Sequence, residues 1–264
     1  MADNIIPQTV PALPREVNLR RNLPMGEAWN WLAAGASDFA KQPALSLFYG
    51  WALFGLSLFN VWALFLTGLD YLLFPVLAGF MIIAPIIATG LYEKSRCIAA
   101  GKPVRFSDMV FVKAESRGQI AFTGALLSMV FLLWMRAAVL IYALFFGMVG
   151  FPGIDRLAPM LFTTPVGWAM LIVGGLVGGL FASFAFAISV FSIPMLLNEK
   201  LDAFTAMGTS MALVWNNLPV MLLWGFIVLT LLLLALLPGM LGIFIIFPLL
   251  GHATWHAYLA VRQP

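Results

Sequence analysis

Charge is scarce in this sequence: Asp, Glu, Lys and Arg make up 9% of its 264 residues, while 62% are hydrophobic. A soluble domain carries about 25% charged residues. The chain therefore has too little charge to coat a water-exposed globule and reads as an integral membrane protein. One cysteine, Cys97, excludes an internal disulfide and every multi-cysteine zinc or iron–sulfur pattern. The first 24 residues hold Pro7, Pro11, Pro14 and Pro24 and no continuous apolar run, so no cleavable signal is visible. Insertion is expected through the first membrane span, with the N-terminal tail retained. A Walker motif, a Ser-His-Asp set and informatively spaced carboxylates are also lacking, which disfavours an enzyme. The string "GGLVGG" (174–179) lacks the Lys-Ser/Thr of a phosphate loop, and inside a span such glycines let helices approach closely.

Long apolar runs dominate the rest. They cover 44–67, 71–91, 119–148, 166–197, 218–237 and 239–260, each long enough for a hydrocarbon core of about 30 Å, which needs about 20 helical residues. The expected fold is all-α: a polytopic bundle of six transmembrane helices over residues 44–262. Residues 1–24 read as a flexible polar tail. Between them, 25–43 places Met25, Ala28, Trp29, Leu32, Ala36 and Phe39 on one helical face. That spacing predicts an amphipathic helix on the membrane surface, or one packed on the protein's own loops.

Twelve of the fourteen basic residues fall on one side of a six-span arrangement. Arg15, Arg20, Arg21 and Lys41 precede the first span, and Lys94, Arg96, Lys102, Arg105, Lys113 and Arg117 lie between the second and third. Lys200 and Arg262 follow the fourth and sixth, leaving Arg156 in the opposite loops. The positive-inside rule then puts both termini and the two long polar loops in the cytoplasm. No interleaving of basic and aromatic residues points to nucleic acid.

The spans pair into three hairpins, each with a proline in its returning helix: Pro85, Pro194 and Pro248. Four residues after these prolines stand Thr89, Asn198 and His252, and eight after stand Glu93, Asp202 and His256. If the hairpins are repeats packed with threefold pseudo-symmetry, these six form a polar ring near the cytoplasmic end. Aligning the Glu-Lys of 93–94 with that of 199–200 gives a competing register. A proline also frees a backbone carbonyl, which by itself favours a polar neighbour one turn on.

His252 and His256, one turn apart on one helical face, are the only candidate imidazole ligands for a metal or an axial haem position. One helix cannot supply both axial ligands of a single haem. The alternative places His252 in a hydrogen bond inside the bundle, with His256 and Tyr258 at the interface beside Trp255. No cofactor is assigned. Arg136 sits in "LLSMVFLLWMRAAVLIYALFF" near mid-membrane, where a charge costs about 2.5–3.5 kcal/mol on insertion scales, so it is expected to face the bundle or a water-filled cavity. Glu93 and Arg96 can pair at i, i+3. Lys94, Arg96, Lys102 and Arg105 are candidates for holding anionic lipid headgroups.

The stretches "WLAAGASDFAKQPALSLFYG", "AGFMIIAPIIATGLYEKSRCIAAGKPVRFSDM" and "SVFSIPMLLNEKLDAFTAMGTSMALVWNN", with "PLLGHATWHAY", carry a resemblance. Over roughly residues 30–262 the chain resembles the bacterial family of predicted integral membrane proteins called domain of unknown function 2189. The resemblance implies a multi-pass protein of the inner membrane and brings no established reaction. Three roles remain: an accessory or scaffold subunit of a larger, for instance respiratory, membrane complex; a small-solute transporter using Arg136 and the polar cluster; or a redox protein using His252 or His256. Membrane lipids and other membrane proteins are the expected partners.

Overall fold

In lipid a backbone must satisfy its own hydrogen bonds, so long apolar runs become helices. The computed structural model describes residues 19–147 and 152–262, and the expected flexible tail lies outside the described residues over 1–18. The elements are α1 (Glu27–Ala40), α2 (Pro43–Leu66), a 3₁₀ turn (Asp70–Leu72), α3 (Leu73–Ile87), α4 (Thr89–Ala99), α5 (Phe106–Val110) and α6 (Arg117–Phe146). They continue with α7 (Ile154–Thr163), α8 (Pro165–Ser189), α9 (Ser192–Asn198), α10 (Ala203–Asn216), α11 (Leu218–Leu236) and α12 (Ile243–Arg262). No strand occurs among the described residues.

Six helical stretches are long and apolar enough to cross a membrane: Pro43–Leu66, Asp70–Ala99, Arg117–Phe146, Pro165–Asn198, Leu218–Leu236 and Ile243–Arg262. The second joins the 3₁₀ turn, α3 and α4; the fourth joins α8 and α9. The protein is thus an all-α, multi-pass membrane helix bundle, with span limits close to those read from hydropathy. The prolines act differently in the three hairpins. The helix is interrupted at Ala88 just after Pro85, and between Ser189 and Ser192 just before Pro194, whereas α12 runs unbroken through Pro248.

The most enclosed of the six spans is α12, against which α1, α2, α4 and α11 pack. Glycines on α1 and α2 let those two helices approach α12 closely. A Cβ on Gly35 would stand 2.6 Å from the Ala253 backbone nitrogen, and one on Gly50 would stand 2.1 Å from the Phe244 carbonyl oxygen. A second cluster, Ile82, Leu127, Trp134, Ala185 and Ile188, joins α3, α6 and α8.

A helix, α1, forms within 25–43, and the face it packs against the bundle is not the one that carries Met25, Trp29 and Ala36. Ala28, Trp31, Gly35 and Asp38 turn inward while Met25, Trp29 and Ala36 are exposed. The reason is that Gly35 admits α12 and Asp38 finds a partner there, so complementarity outweighs raw hydrophobicity. Trp31 meets Trp224 of α11 edge-on at 5.8 Å between ring centroids. The last residues of the segment read as a tail are held in place. Arg21 donates its backbone N–H to Asn217 Oδ1 at 2.9 Å and its Nε–H to the Val261 carbonyl at 2.8 Å. Asn217 in turn donates to the Leu19 carbonyl at 2.9 Å.

Candidate functional site

The richest concentration of buried polar groups lies where α1, α2, α4 and α12 meet. Lys94, Ser46, Ser95 and His252 have no solvent exposure, and Asp38 has 3%. Burying ions is costly unless every donor and acceptor is met, and here the partners are present. Lys94 Nζ donates to Ser46 Oγ at 2.7 Å and to the Gln42 carbonyl at 3.1 Å. That carbonyl is presented by a residue in the left-handed region, φ 58°, at the entry to α2.

Hydrogen-bond direction follows from the ammonium, which can only donate. Ser46 Oγ accepts from Lys94 and so turns its own proton to His252 Nε2, 2.8 Å away. His252 then carries its proton on Nδ1 and donates to Ser95 Oγ at 2.9 Å. Ser95 supports the Asp38 carboxylate, which also receives His256 Nε2 at 2.8 Å and Lys41 Nζ at 3.4 Å. Burial pushes the Asp38 carboxyl up, but hydrogen bonds from His256 and Ser95 and the charges of His256 and Lys41 together hold it below its ordinary value. The result is a continuous chain, Lys94–Ser46–His252–Ser95–Asp38–His256, from a fully buried cation to a half-buried imidazole. Lys94 and Asp38 balance each other's charge. Ser46 and His252 superficially suggest a nucleophile and base, but both are buried and His252 is oriented by a serine, so no substrate reaches them.

A second set closes the same end of the bundle. Arg262 grips Glu199 with two bonds, Nε to Oε1 at 2.8 Å and Nη2 to Oε2 at 2.6 Å. Tyr258 donates to Glu199 Oε1 at 2.8 Å, and Asn198 Nδ2 approaches the Tyr258 hydroxyl at 3.4 Å. The Arg262 guanidinium holds the Glu199 carboxyl below its ordinary range despite some burial. Arg96 pairs with Glu93 at 2.7 Å, as its i, i+3 spacing predicts, and donates to the Leu197 and Lys113 carbonyls, both at 2.9 Å. A cation at the C-terminal end of α9 suits the negative end of the helix dipole, and the Leu197 carbonyl it meets also accepts the Glu115 N–H at 3.2 Å.

The six residues of the expected ring are thus divided among several tasks. His252 and His256 join the α1–α2–α4 network, Asn198 belongs with Tyr258, and Glu93 pairs with Arg96. Thr89 Oγ1 donates to the Ile86 carbonyl at 2.6 Å, and Asp202 caps α10 through the Thr205 N–H at 2.9 Å. Both ring nitrogens of His252 are occupied, so ligation would first have to break one of these bonds. No group of three or more His, Cys, Asp and Glu side chains suited to a metal occurs among the described residues.

Three placements differ from the sequence reading. Lys94 is an internal ammonium instead of a headgroup contact, because Ser46 and Gln42 coordinate it; Arg96 is occupied by carbonyls, while Lys102 and Arg105 are exposed. Trp255 and Tyr258 are core residues and not an interfacial belt, being 2% and 1% exposed. Arg136 neither faces the bundle nor lines a cavity. It is exposed on the outer side of α6, among exposed Leu132, Leu133, Val139 and Leu140. Asp38, Ser46, Ser95 and Glu199 were missed. Asp38 carried a signal, since it continues the Ala28–Trp31–Gly35 line at helical spacing.

The model of the family described as predicted integral membrane protein (DUF2189) matches residues 73–198. Over those residues, just under half of the chain, the sequence is similar to that family. No curated protein and no solved structure matches. The DUF2189 segment supplies Lys94, Ser95, Glu93, Arg96 and Arg136, while Asp38, Ser46, Glu199 and the α12 residues complete the two polar sets from outside it.

Proposed function

We propose that the protein is an accessory or scaffold subunit of a larger membrane complex, set in an inner membrane with both termini cytoplasmic. The observation that carries this reading is the outward position of Arg136 on α6, within an apolar surface and with no hydrogen bond or ion pair among the described residues. A guanidinium facing lipid is costly, and intramembrane charges are normally covered by protein or water. The polar network at the other packing level supports the same reading, because its groups satisfy one another and leave no open site. Orientation rests on the basic residues, twelve of fourteen on one side. The transporter alternative finds less support, since Arg136 and the buried polar network do not share a cavity. Redox use of His252 finds less support, since both of its ring nitrogens are already hydrogen-bonded to Ser46 and Ser95.

Native-gel sizing after extraction from natively expressed membranes in mild detergent tests the proposal. Migration of the chain within a larger assembly is expected. A monodisperse single chain at native expression overturns it.

A further inference from the structure

Resting on that reading, we infer that the outer face of α6 docks a transmembrane helix of a different protein, one that carries an Asp or Glu near mid-membrane. Met129, Leu132, Leu133, Arg136, Leu140 and Leu144 share this face, and the four leucines and the methionine are each at least 60% exposed. The face is otherwise wholly apolar, so its one charge specifies the partner's chemistry.

Depth rules out the easier escapes. Arg136 lies ten residues before the Phe146 end of α6, about 15 Å along the axis, or half of a ~30 Å hydrocarbon core. The other end, Arg117, is nineteen residues away, about 28 Å. The Cα–Cβ bond of a helical residue leans toward the N-terminus, here toward the more distant end. Extension of the side chain to a headgroup at the near end is therefore opposed by its own geometry.

A second copy of the chain does not meet the need. None of the eleven Asp and Glu residues falls in the middle of a span: the sequence places them before α2, at the α2–α3 turn, in the loops or at helix ends. A symmetric contact through this face would set Arg136 against Arg136. The complementary charge must come from another protein. Neighbouring α8 leaves room for close approach at the same level. A Cβ on Gly178 would meet Trp134 at 3.0 Å, which puts that part of α8 level with Arg136, and Gly175 and Gly179 are exposed with nothing within 4 Å. Small residues in this spacing let backbones pack closely.

The probe is a synthetic polyleucine transmembrane peptide with one central Asp, compared with the same peptide carrying central Leu. Its association with the purified full chain is read by energy transfer in phosphatidylcholine vesicles, with and without phosphatidylglycerol. At least tenfold tighter association of the Asp peptide is expected, lost in Arg136→Leu and partly kept in Arg136→Lys. Equal association of the two peptides, no effect of Arg136→Leu, or displacement of the Asp peptide by phosphatidylglycerol overturns the inference. In native membranes a photo-crosslinker at Leu133 or Leu140 should join a span containing Asp or Glu; an adduct to a span lacking both overturns it. Native-gel sizing separates the two claims. An assembly that persists unchanged in Arg136→Leu keeps the accessory role and ends this one, whereas a wild-type single chain ends the accessory role and leaves the peptide result to stand alone.

Discussion

His256 Nε2 lies 2.8 Å from Asp38 Oδ2, tying the last membrane helix to the helix that precedes the first. The pair does more than join two helices, because Asp38 also balances the Lys94 charge across Ser46, His252 and Ser95. Removing the carboxylate in Asp38→Ala strands a buried ammonium and leaves the His256 and Ser95 donors unmet. A loss of about 3 kcal/mol is expected, the lower end for breaking a buried ion pair, given that His256 is partly exposed. Asp38→Asn keeps an acceptor and should lose less, and His256→Ala less again. Thermal unfolding of the detergent-solubilised protein checks that order. An Asp38→Ala midpoint equal to wild type would show that the network does not hold α1 to α12.

Acid should weaken the protein through the same groups. Asp38 and Glu199 both have folded-state values lowered from their ordinary 3.8 and 4.5. A lowered value means that the folded chain binds fewer protons than the unfolded chain, so stability rises with pH across that window. The contribution of Glu199 is fully present above 4.5 and that of Asp38 above 3.8, and each is lost as pH falls through the lower folded value. Unfolding midpoints measured from neutral pH downward should show no loss from these two groups until the pH drops below 4.5. Glu199→Gln and Asp38→Asn should each flatten the slope below that point.

Glycine at two positions sets how near the helices come. Gly50→Ala places a Cβ 2.1 Å from the Phe244 carbonyl oxygen, a backbone atom that cannot rotate away, so α2 and α12 must separate. A loss of about 1–3 kcal/mol is expected, as for other overpacked contacts. Gly55→Ala, on the same helix with nothing within 4 Å, is the control. It should be neutral or slightly stabilising, because alanine favours helix over glycine. The difference in unfolding midpoint between the two variants isolates the contact.

Six spans were legible because the need for about 20 apolar residues leaves a strong one-dimensional signal. Caps and breaks shifted most limits by a few residues, while the second span runs on through α4 to Ala99. The polar network was less legible. His252 and His256 stood out as the chain's only histidines, yet nothing near them in sequence named Asp38, Ser46 or Ser95, which reach α12 only when helices far apart in sequence pack. Lys94 misled, because a lysine beside Arg96 at the end of a span resembles a topology signal until Ser46 and Gln42 are seen to coordinate it. Arg136 misled in the opposite sense. Its depth was readable, but which way a residue faces on a uniformly apolar helix is not, since α6 has no polar stripe to set its rotation.

Glu199 and Arg262 offer a test of the second polar set. Their two parallel bonds fix both groups in one plane, a geometry that lysine's single ammonium cannot reproduce. Arg262→Lys should therefore lose most of what Arg262→Gln loses, although it keeps the charge. Both side chains remain partly open, 30% and 25% exposed, so screening limits the pair to about 1 kcal/mol. Combining Arg262→Gln with Glu199→Gln gives a double-mutant cycle, and a coupling near that size is expected. Tyr258→Phe should add its own loss, because the phenol donates to the same Glu199 oxygen. A coupling of zero, with Arg262→Lys equal to wild type, would mean that the C-terminal end of α12 is held by packing around Trp255 and Val261 alone.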